Sequence, residues 1–235
     1  MSLKGIKEEL RKLSNPKKVV ILQRFFKTGP GEYAQGDKFL GLTVPQIRKI
    51  SKQYSGMDID DAANLLRSGY HEERLAALFI MVSQFKKGDG KSKEKIFKVY
   101  ASNTKYINNW DLIDLTAGHI VGAHLENKPK GLLCQFARSK DLWKKRISIL
   151  ATFEYIYKGK PQETLKIAQI LLNDEHDLIH KAVGWMLREV GKRCSQKTEE
   201  EFLQKYYKKM PRTMLRYAIE RFPEKLRQKY LKGLI

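Results

Sequence analysis

The segment Trp143-Lys144-Lys145-Arg146-Ile147-Ser148-Ile149-Leu150 combines cationic side chains with an apolar helical pattern, and segments of this shape recur along the chain. They occupy residues 71–78, 108–114, 179–185 and, in a weaker form, 212–220. Apolar residues at spacings of three and four mark one face of a helix. Each copy therefore predicts a helix that begins with a charged or aromatic residue.

A constant register relates these copies. Its marks follow one another at steps of 36, 36, 35 and 35 residues, and they are Arg74, Trp110, Arg146, Lys181 and Arg216. A period of this length with two short helices per unit is typical of α-solenoids. A single pair of helices cannot bury its apolar face alone, whereas stacked pairs can, and their second helices then line a concave surface. The alternative is a chance recurrence in a basic chain, which the apolar residues shared after each mark disfavour.

The sequence therefore predicts an all-α fold: an α-solenoid of HEAT-like helical repeats (an α-α superhelix) with a concave basic groove, in a single domain over residues 1–235. No segment shows the two-residue alternation of a strand. The helical pattern covers residues 6–13, 19–26, 47–54, 60–66, 73–85, 93–101, 112–125, 131–137, 144–157, 163–172, 179–191, 199–208, 212–220 and 223–231. Residues 29–37 hold three glycines and a proline, and predict a long loop that contacts a ligand or DNA, or else a surface excursion.

The net charge indicates a polyanionic partner. The 46 Lys and Arg residues outnumber the 26 Asp and Glu residues, which gives a net charge of +20. A field of this size attracts nucleic acid, because phosphate neutralisation releases counterions. The alternative is a basic protein without such a partner. No apolar run is long enough to span a membrane.

Cysteine usage and the N-terminus bear on compartment and cofactors. The first ten residues lack the apolar core of a signal peptide. The two cysteines, Cys134 and Cys194, show no metal-ligand spacing. We expect a reduced, cytoplasmic protein, associated with the nucleoid when bound to DNA, with no metal and no cofactor.

The position four residues after each mark shares a helix face with it. Those positions hold Leu78, Asp114, Leu150, Trp185 and Glu220. The middle of the solenoid is therefore predicted to bring two indoles, a carboxylate and a guanidinium into one neighbourhood: Trp110, Asp114, Arg146 and Trp185. The remaining residues of the register are predicted to bind phosphate groups of DNA, and they are Arg74, Lys181 and Arg216.

Asp114 is poorly suited to binding DNA, because its carboxylate repels phosphates. A carboxylate beside aromatic faces is suited to stabilising a developing cation, such as the oxocarbenium ion formed when an N-glycosidic bond breaks. It can also orient the attacking water. Taken singly, Trp185 can equally be a core residue, Asp114 half of a surface ion pair, and Arg146 a solvated charge.

At these residues the chain resembles the AlkD family of DNA alkylation-repair proteins, which are HEAT-like glycosylases. The resemblance covers nearly the whole chain. Its markers are Phe25-Phe26-Lys27-Thr28-Gly29, Phe39-Leu40-Gly41-Leu42-Thr43-Val44-Pro45, Trp110-Asp111-Leu112-Ile113-Asp114, Lys145-Arg146 and Lys181-Ala182-Val183-Gly184-Trp185-Met186-Leu187-Arg188-Glu189. The last of these is the most specific.

The resemblance implies removal of cationic N3- and N7-alkylated purines, 3-methyladenine and 7-methylguanine, from double-stranded DNA, without flipping the base into a pocket. It implies that Trp110, Asp114 and Trp185 form the catalytic cleft, with Asp114 stabilising the oxocarbenium ion and positioning water. It further implies that Arg146, Thr43 and Arg48 contact the DNA backbone. Phe25 lies where some members of the family carry tyrosine, so any contact made by that hydroxyl is lost here.

Two other functions remain open. Relatives within the family bind DNA without base excision, and HEAT-like solenoids often serve as protein-interaction scaffolds, so the fold alone does not choose. We expect a monomer that clasps DNA.

Overall fold

The computed structural model describes all 235 residues and is built from sixteen α-helices. In chain order, α1–α16 are Leu3–Lys12, Pro16–Phe25, Val44–Gln53, Ile59–Leu66, His71–Lys87, Gly90–Ser102, Trp110–Asp114, Ala123–Leu125, Gly131–Ala137, Leu142–Ala151, Phe153–Tyr157, Gln162–Ile170, Asp177–Arg193, Gln196–Tyr206, Arg212–Ala218 and Glu224–Lys232. There is no strand, and an isolated parallel bridge joins Lys38 to Tyr70. The predicted all-α fold is confirmed.

Two predicted helices are interrupted. The pattern over residues 112–125 is divided into α7, one turn of π-helix at Gly118–Gly122 and α8, and the pattern over 144–157 is divided into α10 and α11. A buried threonine lies at each break. Thr116 donates its hydroxyl to the carbonyl of Leu112, and Thr152 donates to Ile149 over 2.7 Å. Such bonds from a side chain to a preceding carbonyl often bend helices.

The chain forms two compact units, Met1–Ile120 and Val121–Ile235. That the two units act as the single domain predicted for residues 1–235 stays a prediction. The concave basic groove also stays a prediction.

In the first unit, α5 is the central helix. It packs against α3 and α4, and also contacts α1, α6 and α7. Its residues from Leu75 to Val82 are all buried. A helix that is buried on every side belongs to the middle of a core. This central position fixes the surroundings of the charged residues in its first turn.

In the second unit, α13 has the central position and packs against α10, α11, α12, α14 and α15. Gly184 permits the close approach of α15, because a Cβ at this position would lie 2.4 Å from the carbonyl oxygen of Met214. The predicted repeat is visible here. Arg146, Lys181 and Arg216 are each the fifth residue of their helices, α10, α13 and α15.

Candidate functional site

The first half of the candidate site lies on α7, a helix of only five residues. Asn109 caps it, because its Oδ1 accepts a 2.8 Å hydrogen bond from the Trp110 amide. Trp110 and Asp114 are the first and last residues of the helix and are both half-buried. As predicted from their spacing, an indole and a carboxylate therefore share one short helix, one turn apart.

The indole of Trp110 lies against two phenylalanine rings. It stacks on Phe26 with a centroid distance of 5.3 Å and meets the edge of Phe25 at 5.8 Å. Phe26 is buried, whereas the Phe25 side chain is 60% exposed. Phe25, Phe26 and Trp110 thus form an aromatic cluster that reaches the surface of the first unit.

Beneath this aromatic cluster lies a group of buried charges. His71 contacts Asp111, whose Oδ2 is 2.8 Å from Nε2 of the imidazole. Asp37 and Arg74 complete the group, and the side chain of Asn108 donates a 3.1 Å hydrogen bond to Oδ1 of Asp37. Burial raises the pKa of Asp37, but the neighbouring His71 and Arg74 outweigh it and hold that pKa below its usual value.

The location of Arg74 argues against the predicted phosphate contact. Arg74 is only 3% exposed. Its guanidinium binds Asp37 at 2.7 Å and the carbonyl of Ser68 at 3.2 Å. Reaching a phosphate would leave the Asp37 carboxylate buried without this cation, which is strongly unfavourable. The repeat register predicted that Arg74 binds phosphate like the other marks. Arg74 lies instead in the first turn of α5, which is the central helix of the first unit.

Thr43 and Arg48, by contrast, are exposed, and they are the residue that directly precedes α3 and the fifth residue of that helix. Oε1 of Gln46 accepts hydrogen bonds from the amide and the hydroxyl of Thr43, at 2.9 and 2.8 Å. The guanidinium of Arg48 lies 4.1 Å from the centre of the Phe79 ring. Both residues are therefore ordered and accessible, as a contact to a phosphate backbone requires.

The loop that leads to Thr43 is fixed by a residue that the sequence did not single out. Glu72 is buried, and its carboxylate accepts hydrogen bonds from the amides of Leu40, Gly41 and Leu42 at 2.9, 2.8 and 3.2 Å. Gly41 adopts φ +87°, and a Cβ there would lie 2.3 Å from the carbonyl oxygen of Asn15. Together these contacts hold the start of α3 in one position.

The three residues of the second unit that are predicted to contact the DNA backbone differ in their exposure and in their partners. Arg146 is 5% exposed, and its Nη1 donates a 2.5 Å hydrogen bond to the carbonyl of Leu178 at the start of α13. Lys181 is half-buried and forms a 2.7 Å ion pair with Asp177, which lowers the pKa of that carboxyl. Arg216 is exposed. Arg216 is thus the most accessible of the three, and Arg146 joins two neighbouring helices.

Trp185 is half-buried and not a core residue. The edge of its indole meets the Phe153 ring at 5.7 Å, and Phe153 lies 4.6 Å from the exposed Tyr157. The guanidinium of Arg193 lies 4.3 Å from the centre of the Tyr157 ring. Trp185 therefore begins a row of rings on the second unit.

The predicted set is thus divided between the units. Trp110 and Asp114 belong to the first unit, and Arg146 and Trp185 to the second. The common neighbourhood predicted for these four residues stays a prediction. No group of three or more His, Cys, Asp or Glu side chains is arranged to hold a metal ion, and none of the helices is long and apolar enough to cross a membrane.

Comparisons with known proteins identify the class to which this fold and these residues belong. The model of a family described as DNA alkylation repair enzyme matches residues 6–222. The chain belongs to that family. Its fold is similar to a solved structure described as a predicted DNA alkylation repair enzyme from Enterococcus faecalis, with a TM-score of 0.70 and 14% identity, over 90% of this chain and 97% of the other. No curated protein matches this chain.

Proposed function

We propose that this protein is a DNA glycosylase of base-excision repair that hydrolyses the N-glycosidic bond of cationic alkylated purines in duplex DNA. The substrates are 3-methyladenine and 7-methylguanine. One observation carries the proposal: α7 holds the carboxylate of Asp114 one turn from an indole that belongs to a surface aromatic cluster. Membership of the DNA alkylation repair enzyme family supports DNA with alkylation damage as the substrate, and the choice of alkylated purines rests on the sequence resemblance.

The chemistry follows from the charges that develop during the reaction. An alkylated purine with a positive charge is a good leaving group and departs without a general acid. The bond breaks with its electron pair moving to the base, and the sugar becomes an oxocarbenium ion. Asp114 stabilises this cation by its negative charge and orients the attacking water, while the face of Trp110 adds its quadrupole.

We assign binding of the DNA backbone to those predicted DNA-binding residues that are exposed. Thr43 and Arg48 on the first unit and Arg216 on the second reach solvent, and the net charge of +20 adds a long-range attraction. The predicted roles of Trp185 as a second cation-stabilising ring and of Arg146 as a contact to the DNA backbone belong to this proposal on the strength of the sequence resemblance. The predicted backbone contact of Lys181 belongs to it on the strength of the repeat register. Arg74 is left out of the proposed binding set, because it is buried and its guanidinium is the ion-pair partner of the buried Asp37.

The deciding experiment measures free base released from duplex DNA that carries a single 7-methylguanine. We expect release by the wild type, and a loss of about 100-fold or more in the single-turnover rate for Asp114→Asn, as for removal of other groups that stabilise transition-state charge. Trp110→Ala is expected to lower the rate as well. Asp60→Asn is the matched control, because Asp60 is an exposed carboxylate paired only with Lys95.

Two results would reject the proposal. One is the absence of base release by the wild type, and the other is an unchanged rate in both Asp114→Asn and Trp110→Ala. Duplex binding that survives without any base release would instead establish a non-catalytic DNA-binding protein. Absence of both release and DNA binding would favour a protein-interaction scaffold.

A further inference from the structure

His71 is the first residue of α5 and is buried in direct contact with the segment that carries Trp110. Its amide donates a 2.8 Å hydrogen bond to the carbonyl of Lys38, which fixes its backbone. Its Nε2 lies 2.8 Å from Oδ2 of Asp111. Asp111 directly follows Trp110 and also accepts a 2.9 Å bond from the Leu112 amide through Oδ1. The imidazole is therefore attached to the first turn of α7.

A second route leads from the same imidazole to the indole. The ring of His71 stacks on Phe39 at 4.6 Å and lies 5.0 Å from Phe26. Phe26 in turn stacks on Trp110 at 5.3 Å. His71 thus contacts both supports of Trp110: the helix turn in which it lies and the ring against which it rests.

The charges around His71 favour its protonated form. Three charged groups face it: Asp111, Asp37, whose Oδ2 lies 3.6 Å from Nδ1, and Arg74, which is itself paired with Asp37. Burial lowers the pKa of His71, but the charge and hydrogen bond of Asp111, together with Asp37, raise the pKa to about 9. With His71 protonated, two cations balance two carboxylates. The flanking phenylalanine faces also attract a cation.

Asp37 extends this support to the residues before α7. Its Oδ1 accepts a 3.1 Å hydrogen bond from Asn108, two residues before Trp110. The segment 108–111 is therefore held at both ends by one buried charge cluster.

From this geometry we propose that His71 is a positioning residue, which fixes the orientation of Trp110 and the helix turn leading to Asp114 through Asp111 and Phe26. The inference rests on the proposed function, because it assigns His71 a part in that same reaction. Because His71 is buried, with 2% exposure, its effect on the reaction passes through the residues that it contacts.

The test uses His71→Phe, which keeps a ring against Phe39 and Phe26 but removes the charge and the donor to Asp111. Glu73→Gln is the matched control. Glu73 is a buried charge two residues further along α5, but it faces Arg11 and Ser68 and not α7. Three quantities are measured in the 235-residue chain: the single-turnover rate of base release, the DNA affinity and the fluorescence emission of Trp110.

The emission of Trp110 is obtained as the difference between each variant and the same variant carrying Trp110→Phe. We expect His71→Phe to shift this emission to the red and to lower the single-turnover rate between about 10-fold and 100-fold, since small misplacements of reacting groups have effects of this size. DNA affinity should change less than about twofold, because the backbone contacts are elsewhere. Glu73→Gln should leave the emission and the rate unchanged.

His71→Gln and Asp111→Asn keep the proposal testable if His71→Phe fails to fold. Both retain a hydrogen bond between the two positions but lose a charge, and both should give an effect smaller than that of His71→Phe. Trp110 emission and a base-release rate that match those of Glu73→Gln would overturn the inference. If the wild type releases no base, the proposed function fails, and the shift in Trp110 emission still decides whether His71 positions the indole.

Discussion

Nη2 of Arg74 lies 2.7 Å from Oδ2 of Asp37, and this buried ion pair joins the end of the 29–37 loop to the first turn of α5. The loop is therefore anchored to the core of the first unit at its last residue. Its neighbour Lys38 pairs with the Tyr70–His71 segment through the isolated bridge and the bond to the His71 amide. Arg74, for which the repeat register predicted a phosphate contact, is therefore part of the core.

Substitution of Arg74 by methionine should therefore affect stability more than DNA binding. We expect the free energy of unfolding to fall by about 3–5 kcal/mol, because the Asp37 carboxylate loses its buried cation. The folded fraction should retain the wild-type salt dependence of DNA affinity. Denaturant unfolding and binding titrations at several salt concentrations measure the two quantities. A normal stability with a shallower salt slope would restore Arg74 to the DNA-binding set.

Substitution of Arg48 by alanine should affect DNA binding more than stability. Arg48 is exposed and rests on the Phe79 ring, so its loss should change the free energy of unfolding by less than about 1 kcal/mol. Loss of one phosphate contact should reduce the slope of log affinity against log salt by about 0.9. Fluorescence anisotropy with an undamaged duplex measures the slope. A slope equal to that of the wild type would show that Arg48 does not contact the backbone.

The difference between these two arginines shows what the sequence could predict. The spacing of apolar residues predicted most helices to within a few residues, and the four-residue step predicted that Trp110 and Asp114 share a helix face. In the second unit the register was regular, so Arg146, Lys181 and Arg216 have equivalent positions in α10, α13 and α15.

The sequence could not show which charges are buried. Residues 71–74 are four consecutive polar residues at the start of a helix, yet all four are buried. Their partners lie far away in the chain: the backbone of residues 40–42 for Glu72, Asp111 for His71 and Arg11 for Glu73. Only the packing of α5 into the core brings these partners together. Breaks at Thr116 and Thr152 were missed for a related reason, since threonine is compatible with a continuous helix.

The protonated state of His71 should make the stability of the protein depend on pH. The pKa in the folded state, about 9, lies above the ordinary value of 6.5 in the unfolded chain. The contribution is therefore complete below pH 6.5 and is lost as the pH rises from 6.5 through 9. A difference of this size corresponds to on the order of 3 kcal/mol.

Denaturant unfolding of the wild type and of His71→Phe at pH 6 and pH 9 tests this dependence. The variant should lose less stability than the wild type between the two values, and the difference between the two proteins isolates His71 from other titrating groups. Equal losses in both proteins would mean that folding does not raise the pKa of His71.

Glu199 in the second unit should also respond to pH, and substitution there should stabilise the protein. Glu199 is buried beside Gly191, where a Cβ would lie less than 3 Å from its carboxylate. Burial, reinforced by the charge of Glu200, raises the pKa of Glu199 to about 8. Because this value exceeds the usual 4.5, the folded state holds the proton more tightly, and stability falls as the pH rises from 4.5 through 8.

Glutamine has the shape of a protonated glutamate and carries no charge. Glu199→Gln should therefore unfold at the same denaturant concentration as the wild type near pH 4.5 and at a higher one at pH 8, with a gain of a few kcal/mol. Glu200→Gln is the matched control, because it removes the neighbouring charge and should give a smaller gain in the same direction. A variant that is equally or less stable than the wild type at pH 8 would show that Glu199 is ionised in the folded protein and has a counter-charge that compensates for its burial.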